Sequence, residues 1–221
     1  MTTTFQPKLW LYRLADFLLI GGIGLLIFIF FPIANQEINY QIKKKSFERL
    51  EVINQPSQVD QAKQQDSFRF QPKMLVPISF DFSLVIPKIG INTPVFPNIN
   101  SADPDEYQPI LKKGVAHAQG SSLPNQPGPV FIFAHSTDAF YNISRYNAVF
   151  YLLPKLQTND EVFIFYKNKK YQYQVLSQQV VKADEINALV NQTHDNVLIL
   201  QTCWPPGTTL KRLIVITRQI K

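Results

Sequence analysis

From Phe17 to Gln36 the chain reads FLLIGGIGLLIFIFFPIANQ, without one charged residue. About 20 apolar residues are needed to cross the hydrocarbon core of a bilayer, and an open segment can satisfy its backbone there only as a helix. A helix packed against a soluble core carries a polar face as well; this run has none. A membrane span is therefore expected, with Trp10 and Tyr12 near one interface. Cleaved signals carry an apolar stretch of about 7–15 residues and a small-x-small site. This stretch is longer and no clear site follows, so an uncleaved anchor is expected. Charge argues poorly for direction. Lys8 and Arg13 precede the run, but Lys43, Lys44, Lys45 and Arg49 follow it. Counting Lys and Arg alone puts the C-terminal side in the cytoplasm.

The chain divides accordingly into an N-terminus over 1–13, a span over 14–34, a polar linker over 35–79 and a folded domain over 80–221. Residues 37–72 are rich in Gln, Lys, Ser and Glu, with too few apolar side chains to pack against a core. A short helix is expected within them, around Ser46–Ile53.

The folded part reads as β. Its short apolar runs are FSLVIPKIGINTPVF (Phe82–Phe96, broken at Pro87 and Gly90), GPVFIFAH (Gly128–His135), EVFIFYKNKKYQYQVL (Glu161–Leu176, a hairpin turning over Lys167–Lys170), VLILQTC (Val197–Cys203) and RLIVITRQI (Arg212–Ile220). VKADEINALVNQ (Val181–Gln192) is expected to form one short helix or turn. The 17 Phe and 9 Tyr favour strands, and the 16 Pro punctuate them with turns. Many short strands without strand–helix alternation predict an all-β barrel or sandwich. The net charge of +6 suits attraction to an anionic envelope polymer or simply a solvated basic surface. No nucleic-acid signature accompanies it, so no nucleic-acid partner is inferred.

Cys203 is the single cysteine, which rules out an internal disulfide and leaves a free thiol. It ends one apolar strand, as His135 ends another, and strand ends on a rigid scaffold present groups to solvent. A thiol used as a nucleophile needs a base, and a histidine also supplies the proton for a leaving amine. Taken singly, a cysteine at a strand end is as well explained by packing, and a histidine there by capping. The run TCWPPGTTLKRLIV adds a third group. If the strands on either side of WPPGTTLK pair as a hairpin, Arg212 opens the second opposite Cys203. Arg218 is then six residues on, roughly 20 Å away at about 3.3 Å per residue. A cation beside a thiol lowers its pKa and can hold an oxyanion.

Here the sequence resembles the sortase family. LILQTC (Leu198–Cys203) is close to the family's TLxTC signature and is followed by Arg212 in RLIV; Ile199 stands in place of the signature's first Thr. VIPKIGINTPV (Val85–Val95) resembles the first barrel strands. GVAHAQGSSLPNQPGPVFIFAHS (Gly114–Ser136) resembles the approach to the family's histidine, with Ala134 and Ser136 departing from its usual GHR. The resemblance covers about Phe82 to Ile220. It implies a closed eight-stranded β-barrel outside the membrane, with residues 1–13 cytoplasmic, and this outweighs the charge count.

The resemblance also implies a cysteine transpeptidase. Its substrates would be secreted proteins bearing a C-terminal LPxTG-like sorting signal, and its acceptor an amine on a cell-wall peptide or a pilin lysine. Cys203 would form the thioacyl intermediate, His135 would act as acid and base, Arg212 would hold the oxyanion, and Thr202 would contact substrate. No cofactor and no metal are expected. Some sortases bind calcium through acidic loops, but Asp103, Asp105 and Glu106 read as a solvated acidic loop. His117 resembles a non-catalytic position and reads as a loop histidine; His194 receives no role. Two other readings remain open: a cysteine peptidase or peptidoglycan hydrolase, although papain-like enzymes place Cys before His in the chain, and a non-enzymatic envelope-binding barrel with an inert thiol.

Overall fold

The computed structural model describes residues 9–47, 51–52, 74–136, 148–191 and 196–220. Helix α1 (Leu9–Phe47) is 39 residues long and continues past the expected end of the span into the polar stretch. Of the helix expected around Ser46–Ile53, Ser46 and Phe47 end α1 and Glu51–Val52 forms the short strand β1, while residues 48–50 and 53 lie outside the described residues. Apolar side chains are exposed at four consecutive positions, Phe17–Ile20, and again at Leu25–Phe28. With 3.6 residues per turn, four in a row cover every side of a helix. Among the described residues no helix is long and apolar enough to cross a membrane. The side chains of residues 29, 32, 33, 35 and 36, inside the apolar run, lie outside them.

The expected closed eight-stranded barrel is present. It comprises β3 (Phe82–Ile86), β4 (Ile91–Ile99), β5 (Val115–Ala118), β6 (Val130–Phe133), β7 (Glu161–Tyr166), β8 (Lys169–Val181), β9 (Val197–Trp204) and β10 (Lys211–Gln219). Around the barrel the order is β10-β8-β7-β3-β4-β5-β6-β9, and β9 closes onto β10. Most neighbours are antiparallel, but β4–β5 and β6–β9 are parallel. Parallel neighbours need a crossover, and β4 reaches β5 through helix α2 (Pro104–Leu111). The expected helix or turn near Val181–Gln192 is a 3₁₀ turn, Ala183–Glu185, followed by helix α3 (Ile186–Asn191).

Local chemistry explains the joints. Pro87–Ile89 makes a 3₁₀ turn that Gly90 closes at φ 67°, its N–H donating to the Pro87 carbonyl at 3.0 Å. The β7–β8 hairpin turns on only two residues, Lys167 and Asn168, both at positive φ, as a two-residue hairpin loop whose twist matches its strands requires. Strand β6 and the first half of β9 are buried throughout, as parallel strands usually are.

A second, smaller apolar cluster lies apart from the main core. Val85, Phe163 and Phe165 pack with Leu75 and Phe80 from the segment leading into the barrel. This lead-in begins at β2 (Met74–Leu75), which pairs in parallel with β1. The Asn92 side chain fastens it to β4: its Nδ2 donates to the Val76 carbonyl at 2.7 Å, and its Oδ1 accepts from the Ile78 N–H at 2.8 Å. Helix α1 touches the same side of the barrel, with Glu37 paired to Lys155 at 2.9 Å. Both side chains are well exposed, so the pair contributes at most about 1 kcal/mol.

The parallel β4–β5 approach leaves no room at Gly114. A Cβ there would lie 2.5 Å from the Pro94 carbonyl oxygen, a backbone atom that cannot swing aside. Gly114→Ala is expected to destabilise the barrel by about 1–3 kcal/mol, the usual cost of overpacking; denaturant unfolding beside the wild type measures it.

Candidate active site

Strand pairing brings the three expected groups to one rim. In the β9–β10 ladder Arg212 stands opposite Cys203, and Arg218 opposite Val197. The hairpin register read from TCWPPGTTLKR is the one observed. In the parallel β6–β9 ladder Phe133 stands opposite Gln201. His135 and Cys203 each lie two residues beyond that pair, on strands that are neighbours at about 4.8 Å. The chain leaving β6 is held where it bends away: the Ala134 N–H donates to the Gln201 carbonyl at 3.1 Å, and the His135 carbonyl accepts from the Phe150 N–H at 3.2 Å.

Two opposing effects act on the thiol. Burial disfavours a thiolate and pushes the Cys203 pKa up, while the Arg212 charge pulls it down; burial is the larger, and the pKa is raised. The arginine therefore offsets desolvation instead of leaving the thiol more acidic than usual. Arg212 Nη1 donates to the Thr209 carbonyl at 2.9 Å and to the Lys211 carbonyl at 3.0 Å, so the loop between the strands aims the guanidinium.

Thr202, expected to touch substrate, is 1% exposed, and its hydroxyl donates to the Ala134 carbonyl at 2.9 Å. Ser136, beside the histidine, is also buried, and its Oγ has no hydrogen-bond partner among the described residues. His117 differs from the expected loop histidine. It lies on β5, buried, with Nδ1 accepting from the Asn98 N–H at 3.2 Å. Nε2 then carries the proton and faces the Ser122 carbonyl at 3.0 Å. Burial lowers its pKa despite that carbonyl, so it stays neutral and structural. His194 lies outside the described residues.

The acidic stretch is not a loop. Asp103 caps α2, accepting from the Asp105 N–H at 3.0 Å, and Glu106 accepts from the Asn100 N–H at 3.2 Å. The signal was present: Asp, then Pro, then Glu three residues after the Asp is a helix-start pattern. The helix delivers a residue that the strand patterning missed. The Tyr107 ring stands edge-on to His135, with centroids 6.4 Å apart, and to Phe133 at 6.1 Å. It forms one wall beside the imidazole.

Because the thiol pKa is raised, alkylation of Cys203 by iodoacetamide is expected to keep accelerating as pH climbs past the ordinary thiol range. Arg212→Ala removes the influence that lowers the pKa and should move the profile to still higher pH. Rates measured across pH for both proteins check this; an unchanged or downward-shifted profile for Arg212→Ala would contradict it.

A family model described as Sortase domain matches residues 84–220. Sortase D of Bacillus subtilis (strain 168) is 24% identical over 213 residues, spanning 95% of this chain and 96% of that protein. Among solved structures, Clostridium perfringens sortase C with the C-terminal cell wall sorting motif is 27% identical, with a TM-score of 0.51 over 63% of this chain and 69% of that one. The type III crystal structure of Streptococcus agalactiae sortase C1 is 25% identical, with a TM-score of 0.52 over 63% of this chain and 66% of that one.

Proposed function

Because the chain belongs to the sortase family, whose members are cysteine transpeptidases acting on sorting signals, we propose that Cys203, His135 and Arg212 carry out the transfer. The Cys203 sulfur attacks the Thr carbonyl of an LPxTG-like signal near the C-terminus of a secreted protein. Arg212 holds the oxyanion as the carbonyl carbon becomes tetrahedral. His135 takes the thiol proton as the sulfur attacks and gives it to the departing glycine amine, leaving a thioacyl enzyme; it then takes a proton from the incoming amine and returns it to the sulfur as the thioester breaks. The observation that carries this assignment is the register: Arg212 faces Cys203 across β9–β10, while β6 runs parallel to β9 and ends at the same rim. The acceptor is an amine of a cell-wall peptide or a pilin lysine. The Clostridium perfringens structure bound to a cell wall sorting motif supports a signal of this class.

The purified protein, an LPxTG-like peptide and an added amine test the assignment. Cys203→Ala should abolish the thioacyl enzyme while the barrel stays folded. Arg212→Ala should slow turnover by about 10²–10³, as loss of an oxyanion donor does. Arg218→Ala should change little. A crippled Arg218→Ala beside a mild Arg212→Ala would overturn the roles given to the arginines. Cleavage without amine-dependent ligation would instead favour a cysteine peptidase or hydrolase.

We further propose that residues 14–34 anchor the protein, with 1–13 in the cytoplasm, 35–79 as stalk and the barrel outside. The support is the uncharged run Phe17–Gln36 and the apolar side chains exposed on every side of α1, which water does not favour and lipid does. Protease added to intact cells should remove the barrel. A barrel protected until the membrane is permeabilised would reverse the orientation and make Lys43–Lys45 the better guide.

A further inference from the structure

We propose that Thr202 is a positioning residue whose hydroxyl sets the relative placement of His135 and Cys203, and that it does not bind substrate. The inference rests on the roles given above to those two residues. Thr202 immediately precedes Cys203, and Ala134 immediately precedes His135. The Thr202 hydroxyl donates to the Ala134 carbonyl at 2.9 Å in a buried bond. The Ala134 N–H donates in turn to the Gln201 carbonyl at 3.1 Å. Both polar groups of the Ala134 backbone are therefore held by β9.

The regular ladder between these strands stops at Phe133–Gln201. In a continued parallel ladder the Ala134 carbonyl would accept from the N–H of Cys203, two residues past the carbonyl that takes the Ala134 N–H. It accepts instead from the Thr202 side chain, one residue earlier on β9. This fastens the two chains at the last position before their functional side chains emerge. The methyl and hydroxyl of a β-branched residue have few rotamers to choose from, so the tie is stiff. Substrate cannot reach the hydroxyl where Thr202 is 1% exposed, which sets the residue apart from a binding contact.

Thr217 supplies an internal control. Its hydroxyl makes the same kind of buried bond, to the Leu198 carbonyl at 2.9 Å, between β10 and β9 but far from the rim. The test compares full-length wild type, Thr202→Val, Thr202→Ser and Thr217→Val. Transpeptidation should fall in kcat by about 10–10²-fold in Thr202→Val, the scale on which misplacement by about 1 Å acts, with KM little changed. Thr202→Ser, which keeps the hydroxyl, should retain most of kcat. Thr217→Val should lose stability in melting curves and keep kcat. The pH profile of Cys203 alkylation should move in Thr202→Val alone, and this arm does not depend on turnover. A loss confined to KM would overturn the proposal in favour of substrate contact. Equal damage from Ser and Val would overturn it in favour of simple packing, and so would an unmoved alkylation profile. If the wild type itself transferred nothing, the transpeptidase reading would fall, while alkylation would still decide whether Thr202 sets the thiol's surroundings.

Discussion

The parallel pairing of β6 with β9 is the constraint on which the site depends. Two neighbouring strands that run the same way must end at the same rim, whatever lies between them in the chain. Here that separation runs from Phe133 to Val197 and takes in β7, β8 and α3. Parallel pairs are buried on both faces, which is why VFIF and VLIL are uninterrupted apolar runs. The same burial that makes the strands rigid also desolvates the residues just beyond them. The thiol thus inherits a raised pKa from the core, and the charge of Arg212 works against a penalty that the architecture imposes.

Arg212 itself owes its place to antiparallel pairing. A hairpin returns the chain to where it left, so Lys211 and Arg212 at the start of β10 face Trp204 and Cys203 at the end of β9. The carbonyls of Thr209, in the loop, and Lys211, at the start of β10, then take one guanidinium nitrogen. A planar, five-donor group can spend one nitrogen on its own support and still present others, which an ammonium on a flexible stem does less well.

How much of this could be read in the sequence follows from how local each interaction is. The strands, the β7–β8 hairpin and the Arg212–Cys203 register are local: apolar runs and turn residues specify them within a few positions. The parallel pairs were invisible because periodicity says nothing about which distant strand a run will join. Other features escape the sequence for reasons of their own. His117 became a loop histidine because β5 has only four residues. The Asp103–Glu106 stretch was weighed as charge when its order, Asp-Pro-x-Glu, encodes a cap. Tyr107 could not be placed against His135 without knowing that α2 carries the crossover. Thr202 adjoins Cys203 in the chain, yet the direction of its hydroxyl depends on Ala134, 68 residues away.

The Asn92 amide that grips Val76 and Ile78 has a mechanical meaning. In the closed order of strands, β3 and β4 lie across the barrel from β9 and β10. The lead-in enters over β3, β4 and β7, and α1 leans on the turn between β3 and β4. A pull on the N-terminal helix would therefore be delivered to the wall opposite Cys203. Such a load would meet Asn92, Leu75 and Phe80 first, and the strand ends that carry His135 and Cys203 would lie on the slack side of the barrel.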